Sequence, residues 1–237
     1  MDSVANSLTY PQEDDDWLTT LAIGGGLTLL GVLFIPILPV YGYLVSAIRE
    51  RAAGATQPPQ FEDWGELFVD GVKAFGISVV YMLIPTIVAG VVIGGSVISM
   101  MTGTRAGVGA GMAGLLGGFL LSTVLSLVFG YVAVAAIIHF ACTGDLGAAF
   151  DVGTLRQLAL SSEYATAWLV SVALFVGAGI VVNLFNVIPF IGSLIAGIAS
   201  PFATFYMAVV ATDLWAGGYN AAVGDTEETE SVGTAAI

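Results

Sequence analysis

The side chains able to do chemistry are few. The chain has one histidine, His139, and one cysteine, Cys142, so neither a disulfide within the chain nor a Cys/His zinc site can be assembled. An H-E-x-x-H helix needs two histidines. A Ser-His-Asp triad would have to use His139, and no G-x-S-x-G elbow accompanies it. There is no G-x-x-x-x-G-K-[ST] phosphate loop, and the single lysine, Lys73, lies in DGVKA. These residues predict no enzyme activity, no cofactor and no metal.

What remains is a small set of polar groups at the edges of apolar segments. Arg49, His139 and Asp213 each follow an aromatic residue (Tyr41, Tyr131, Phe205) by eight positions. Those aromatics open three related stretches, YGYLVSAIRERAAG, YVAVAAIIHFACTG and FYMAVVATDLWAGG. Each stretch reaches a glycine at the same spacing: Gly54, Gly144 and Gly218. If the copies are equivalent helices, the three polar side chains form a cluster at one depth. Arg49 and His139 would complement the negative C-terminal ends of their helices. Asp213 has the wrong sign for that position, which predicts a pair with Arg49 or His139. Asn183 and Asn186 lie one helical turn apart near Pro189. They either satisfy backbone groups freed by a helix break or contact a solute beside a discontinuous helix.

The elements that position these groups follow from charge patterning. Of 237 residues, 57% are hydrophobic and 10% charged, against about 25% charged in a soluble domain. Mean hydropathy is +0.94. Segments 18–48, 74–104, 106–144 and 164–212 contain no Asp, Glu, Lys or Arg and are 31, 31, 39 and 49 residues long. About 20 apolar residues cross a bilayer as a helix. As one helix the longest run would reach roughly 73 Å, so it must break, and NVIPFIG at 186–192 supplies the Pro and Gly. Nothing alternates as the strands of a membrane β-barrel would.

The expected fold is therefore all-α, a polytopic transmembrane helical bundle of about five spans: 22–48, 74–100, 108–141, 164–187 and 190–216. A further cut of the first span at IPILP (35–39) would give six. Residues 1–16 read as a polar N-terminal lead-in, with Trp17 as an interfacial anchor. Residues 17–218 form the membrane domain, and 219–237 an acidic, disordered tail. The N-terminus lacks the basic stretch of a signal peptide, so the first span is retained.

After the first glycine stop, Phe61, Trp64, Leu67 and Phe68 recur at helical spacing between Glu62, Asp63, Glu66 and Asp70. This predicts a short amphipathic helix on the membrane surface. FDVG at 150–153 opens a counterpart after Gly144. The unit is thus an internal repeat of helix, glycine stop and surface hook. Gly90-Gly94, Gly107-Gly111 and Gly114-Gly118 are G-x-x-x-G pairs, read as packing within the bundle before a dimerisation face. Basic residues Arg49, Arg51, Lys73 and Arg156 fall on the hook side and Arg105 on the other. That places hooks and C-terminal tail in the cytoplasm and, with five spans, the N-terminus outside.

The stretches LTYPQEDDDW, IPILPVYGYLVSAIRERAAG and PPQFEDWGELFVDGVKAFGISVVYMLIP resemble an uncharacterised family of archaeal and bacterial membrane proteins, domain-of-unknown-function family 4013. The similarity runs on to IPFIG and FYMAVVATDLWAGGY. It implies a multi-spanning membrane protein and supplies no activity.

Net charge is −13, from 18 acidic and 5 basic residues. Such a balance suits a halophilic archaeon, where salt screens self-repulsion, and it argues against nucleic acid as a partner. The partners expected are the lipid bilayer and either further copies of the chain or other membrane proteins. Ranked on these grounds, a membrane scaffold or assembly subunit stands above a small-solute transporter or channel component, because transporters carry ionisable groups at mid-membrane and this chain keeps its charges at span ends.

Overall fold

In the computed structural model, the backbone is described for residues 2–188 and 191–235, and the side chains for 4–188 and 191–223. Eight α-helices are present among these residues, and no strand. They are α1 (Asp2–Thr9), α2 (Trp17–Leu29), α3 (Ile37–Ala52), α4 (Trp64–Met101), α5 (Arg105–Thr143), α6 (Val152–Leu160), α7 (Ser162–Asn183) and α8 (Ile191–Ala235). Four segments are long and apolar enough to cross a membrane: α4, α5, Ser162–Val187 and Ile191–Val223. A fifth is reached only if Val4–Gln12 and Trp17–Leu33, bent by 90° at their break, count as one span. The chain is an all-α, multi-spanning membrane protein. Leu, Val and Ile stand exposed along α4, α5 and α7, as contact with lipid requires.

Two compact units make up the chain. The first comprises Met1–Phe75 and Ala135–Ile237, the second Gly76–Val134. Within the second, α4 and α5 turn on Gly103 at φ +65° and pack as an antiparallel pair. Added β-carbons at Gly107, Gly111, Gly114 and Gly118 would fall within 2.0–2.6 Å of Thr102, Met100, Ser96 and Val92. These four glycines therefore serve packing inside the chain. Gly90 and Gly94 face open space.

In the first unit, the expected single span 22–48 does not form. Its helix stops in a 3-10 turn at Leu30–Leu33, Phe34 takes a positive φ of 68°, and α3 starts afresh at Ile37. Pro36 and Pro39 cannot donate to a helix running on from α2, so the cut falls at the IPILP stretch. The result is a helical hairpin held along α8. Gly24 and Gly25 seat the rings of Phe205 and Phe202, and Tyr43 lies against Phe205 at 5.4 Å between centroids. α3 then crosses α4 at backbone contact, since a β-carbon on Gly42 would lie 1.8 Å from the Leu67 carbonyl oxygen and one on Gly71 1.9 Å from that of Leu38. Tyr10, Val40, Tyr43, Ala47, Phe61, Leu67, Phe205 and Val209 form the core beneath this crossing.

Both outer ends of the hairpin lie at the same end of the unit. Gln57 donates to the Glu13 carbonyl (2.9 Å) and Gln60 to the Asp14 carboxylate (3.0 Å), so residues 13–14 adjoin the loop after α3. The expected placement of the N-terminus opposite the hooks is corrected by these bonds. Within the lead-in, Ser7, Tyr10 and Asp14 are buried.

The first hook differs from expectation as well. Residues 64–73 are the opening turns of the continuous α4 rather than a separate surface helix. Phe61 and Leu67 turn into the core, while Trp64 and Phe68 stay exposed at 47% and 41%. The second hook is a separate helix, α6, whose Leu155 and Leu158 are buried. Gly54 (φ +97°) and Gly144 (φ +72°) end their helices in the left-handed conformation. Gly217 and Gly218 do not, and α8 continues through them. The acidic run Asp225 to Glu230, expected as a disordered tail, lies outside the residues whose side chains are described.

Candidate functional site

A cluster of ionisable side chains in the first unit forms where the last turns of α3 and α5 meet the start of α4 and, on the other side of α3, the middle of α8 around Asp213. Arg49 and Arg51 both project from the last turn of α3. Two residues are about 200° around a helix, so the two guanidinium groups face different neighbours.

Arg49 turns to α4 and α5. Its Nη2 lies 2.6 Å from Asp70 Oδ2, its Nη1 3.1 Å from Glu66 Oε1, and its Nε donates to the Ala141 carbonyl at 3.1 Å. Lys73 binds the other Asp70 oxygen at 2.9 Å and stands 5.7 Å over the Phe140 ring. Glu66, Asp70 and Lys73 share one face of α4 by their i,i+4 and i,i+3 spacing, so one carboxylate, Asp70, holds two cations. Arg51 turns the other way. Its Nε donates to Asp213 on α8, its Nη1 to the Ala55 carbonyl at 2.8 Å, and its guanidinium lies 5.4 Å from the centre of the Tyr10 ring. The second Asp213 oxygen accepts the Ser7 hydroxyl at 2.5 Å. Tyr206 donates to the Leu8 carbonyl and accepts from Gln12, at 2.7 and 2.8 Å. Asn220 closes the end with a bond to the Ala52 carbonyl.

The expected pairing of Asp213 with Arg49 or His139 is thus replaced by Arg51–Asp213. All three residues occupy the same end, but in separate partner sets. His139 shares a 2.9 Å hydrogen bond with the Tyr219 hydroxyl. Asn183 donates to the Gly179 carbonyl at 2.8 Å and Asn186 to the Asn183 side chain at 3.3 Å, so both bond locally at the end of α7. The chain turns there because Gly192 approaches Phe185 so closely that a β-carbon would lie 1.9 Å from its carbonyl oxygen. Pro189 and Phe190 lie outside the described residues.

Outside the membrane-spanning segments, Asp151 caps α6. Its carboxylate accepts the Thr154 hydroxyl at 2.8 Å and the Gly153 amide at 2.9 Å, and these bonds hold it below the usual carboxylate range.

A cavity of about 590 Å³ opens between α1, α7 and α8 beside the Arg51–Asp213 pair. Among the described residues no group of His, Cys, Asp and Glu is arranged to hold a metal ion. Sequence reasoning missed Arg51, Ser7 and Tyr10. The i,i+4 carboxylates Glu66 and Asp70, followed by Lys73, were the available signal for the Arg49 network.

The family model described as "Protein of unknown function (DUF4013)" matches residues 26–196. The chain belongs to this family. The match takes in Arg49, Arg51, Asp70 and His139 and stops before Asp213. No curated protein and no solved structure matches the chain. Family and helices together make it a multi-pass integral membrane protein.

Proposed function

We propose that the protein is a non-enzymatic scaffold or assembly subunit of the cell membrane. The observation that carries this reading is where its charge goes. Arg49, Lys73 and Arg51 are each committed to a carboxylate on another helix or another turn, and Asp70 and Asp213 are buried beneath them. The half-buried Arg49–Asp70 and Arg51–Asp213 pairs join different helices, which suits a role in setting how those helices pack. A transport path would instead place ionisable groups near mid-span. Four of the five basic residues, Arg49, Arg51, Lys73 and Arg156, lie on this side of the spans and Arg105 on the other, which supports a cytoplasmic location for the N-terminal segment, the hooks and the C-terminal end of α8. Gly54 and Gly144, equivalent in sequence and both left-handed, support an internal repeat of helix and hook, and the net charge of −13 supports a salt-rich cytoplasm. The second reading, a small-solute transporter, is favoured by the cavity beside Asp213.

Reconstitution separates the two. A scaffold in liposomes passes no ion or small solute, and gently solubilised native membrane yields it in a complex of fixed composition. Solute flux that disappears in Asp213→Asn would overturn the scaffold reading.

A further inference from the structure

The cavity between α1, α7 and α8 has a composition that selects its occupant. At about 590 Å³ it falls within the range of roughly 300–1,000 Å³ that small-molecule sites occupy. Val170 and Leu214 give it apolar lining, and Asn6, Thr166 and Asn220 add neutral polar groups. Three charged side chains line it: Arg51, Asp213 and Glu163.

We propose that this cavity binds a zwitterionic group, with its anion on Arg51 and its ammonium between Glu163 and Asp213. The donor count supports the first half. A guanidinium has five N–H groups. Among the described residues Arg51 commits Nε to Asp213 and one Nη1 hydrogen to Ala55, and Nη2 is the group that would serve a carboxylate or phosphate. The acceptor count supports the second. Each Asp213 oxygen accepts one bond, from Arg51 or Ser7, and a carboxylate oxygen can accept a second. Glu163 uses one oxygen for Ser162. A lone anion entering here would meet two carboxylates, and a lone cation would meet Arg51. A ligand carrying both signs meets a partner for each. Gly217 lines the same cavity, and a β-carbon there would touch nothing within 4 Å, so the space is left open by the backbone itself.

Two sources present this chemistry, a free zwitterion and the headgroup of a zwitterionic lipid, and the test uses both. Purified full-length protein in non-ionic detergent is titrated with phosphoethanolamine, and in parallel with ethylamine and with inorganic phosphate, following heat of binding and thermal unfolding. A second arm places the protein in nanodiscs of phosphatidylethanolamine or of phosphatidylglycerol and counts retained lipids by native mass spectrometry.

Phosphoethanolamine should bind and raise Tm, and each half-ligand should bind at least about tenfold more weakly, the loss of one charged hydrogen-bonding group. Glu163→Gln should weaken binding by about the same factor. Gly217→Leu, which fills the space without touching the ion pair, should abolish binding while its helical circular dichroism and Tm stay at wild-type values. Selective retention of phosphatidylethanolamine without binding of the free compound assigns the site to a lipid headgroup. Binding of the free compound assigns it to a solute. No binding in either arm, or binding unaffected by both Glu163→Gln and Gly217→Leu, overturns the proposal.

Discussion

Replacing Gly42 with alanine tests the crossing of α3 and α4 most directly. The added β-carbon would sit 1.8 Å from the Leu67 carbonyl oxygen and 2.5 Å from its carbon, whereas real β-carbons essentially never approach another atom within 3.0 Å. The obstacle is backbone, so no rotamer change relieves it, and the helices must part until that distance opens from 1.8 Å to at least 3.0 Å. A gap of about 0.5–1 Å already forfeits about a quarter to a half of a dispersion contact, and Val40, Tyr43 and Leu67 pack at this junction. Overpacking a tight site costs about 1–3 kcal/mol, and a backbone obstacle belongs at the upper end. Alanine returns about 1 kcal/mol of helix propensity. The net loss is about 2 kcal/mol, roughly a 30-fold shift in the folding equilibrium. The assay is equilibrium unfolding by SDS in mixed micelles, followed by circular dichroism, with Gly90→Ala as control because nothing lies within 4 Å of a β-carbon there. Gly42→Ala should unfold at a lower SDS fraction than wild type, and Gly90→Ala at the same fraction or higher. If Gly42→Ala matches or exceeds wild type, the close crossing does not exist.

The Arg51–Asp213 pair should show coupling: Arg51→Ala and Asp213→Ala should lose less together than their sum, by about 0.5–3 kcal/mol, whereas Arg49→Ala with Asp213→Ala should add to within about 0.5 kcal/mol in the same unfolding assay. Single cysteines at Asp15 and Ala221, in a Cys142→Ala background, should resist an impermeant thiol reagent on intact cells while one at Gly103 reacts; opposite behaviour of Asp15 and Ala221 would refute the common placement of both ends. Because Asp151 is held below its ordinary value of 3.8, its cap on α6 is intact at neutral pH and is lost as pH falls through that depressed pKa. Asp151→Asn should therefore flatten the acid limb of proteolysis at 152–160, and an unchanged limb would remove the cap from the account.

The spans were legible because a charge-free run longer than a bilayer needs, in so acidic a chain, has few alternatives to the membrane. Pro189 and Gly192 also mark the one break that length demands. The hairpin of α2 and α3 was not legible as the preferred outcome. Its run is also long enough for one helix; Pro36 and Pro39 weaken that outcome without forbidding it, and the seating of Phe202 and Phe205 on Gly24 and Gly25, a contact with the far end of the sequence, adds what periodicity could not show. Choosing Arg51 over Arg49 as the partner of Asp213 needs the helix phase and the identity of the neighbour on each side. Periodicity supplies the first and says nothing of the second. The hook pattern of Phe61, Trp64, Leu67 and Phe68 was real, but α4 runs on without a stop, so only Phe61 and Leu67 turn inward.

The bonds of the N-terminal segment have a consequence for the order in which the protein is made. Ser7, Leu8 and Gln12 find their partners at Asp213 and Tyr206, between 194 and 206 residues later in the chain. Loop closure over such distances comes late. While the ribosome is still producing α4 to α7, Ser7 and Arg51 lack Asp213, and Gly24 and Gly25 lack the rings that fill them. The insertion of α8 is therefore the step that closes the first unit, and a nascent chain cut short before it would leave its earliest helices exposed to membrane quality control.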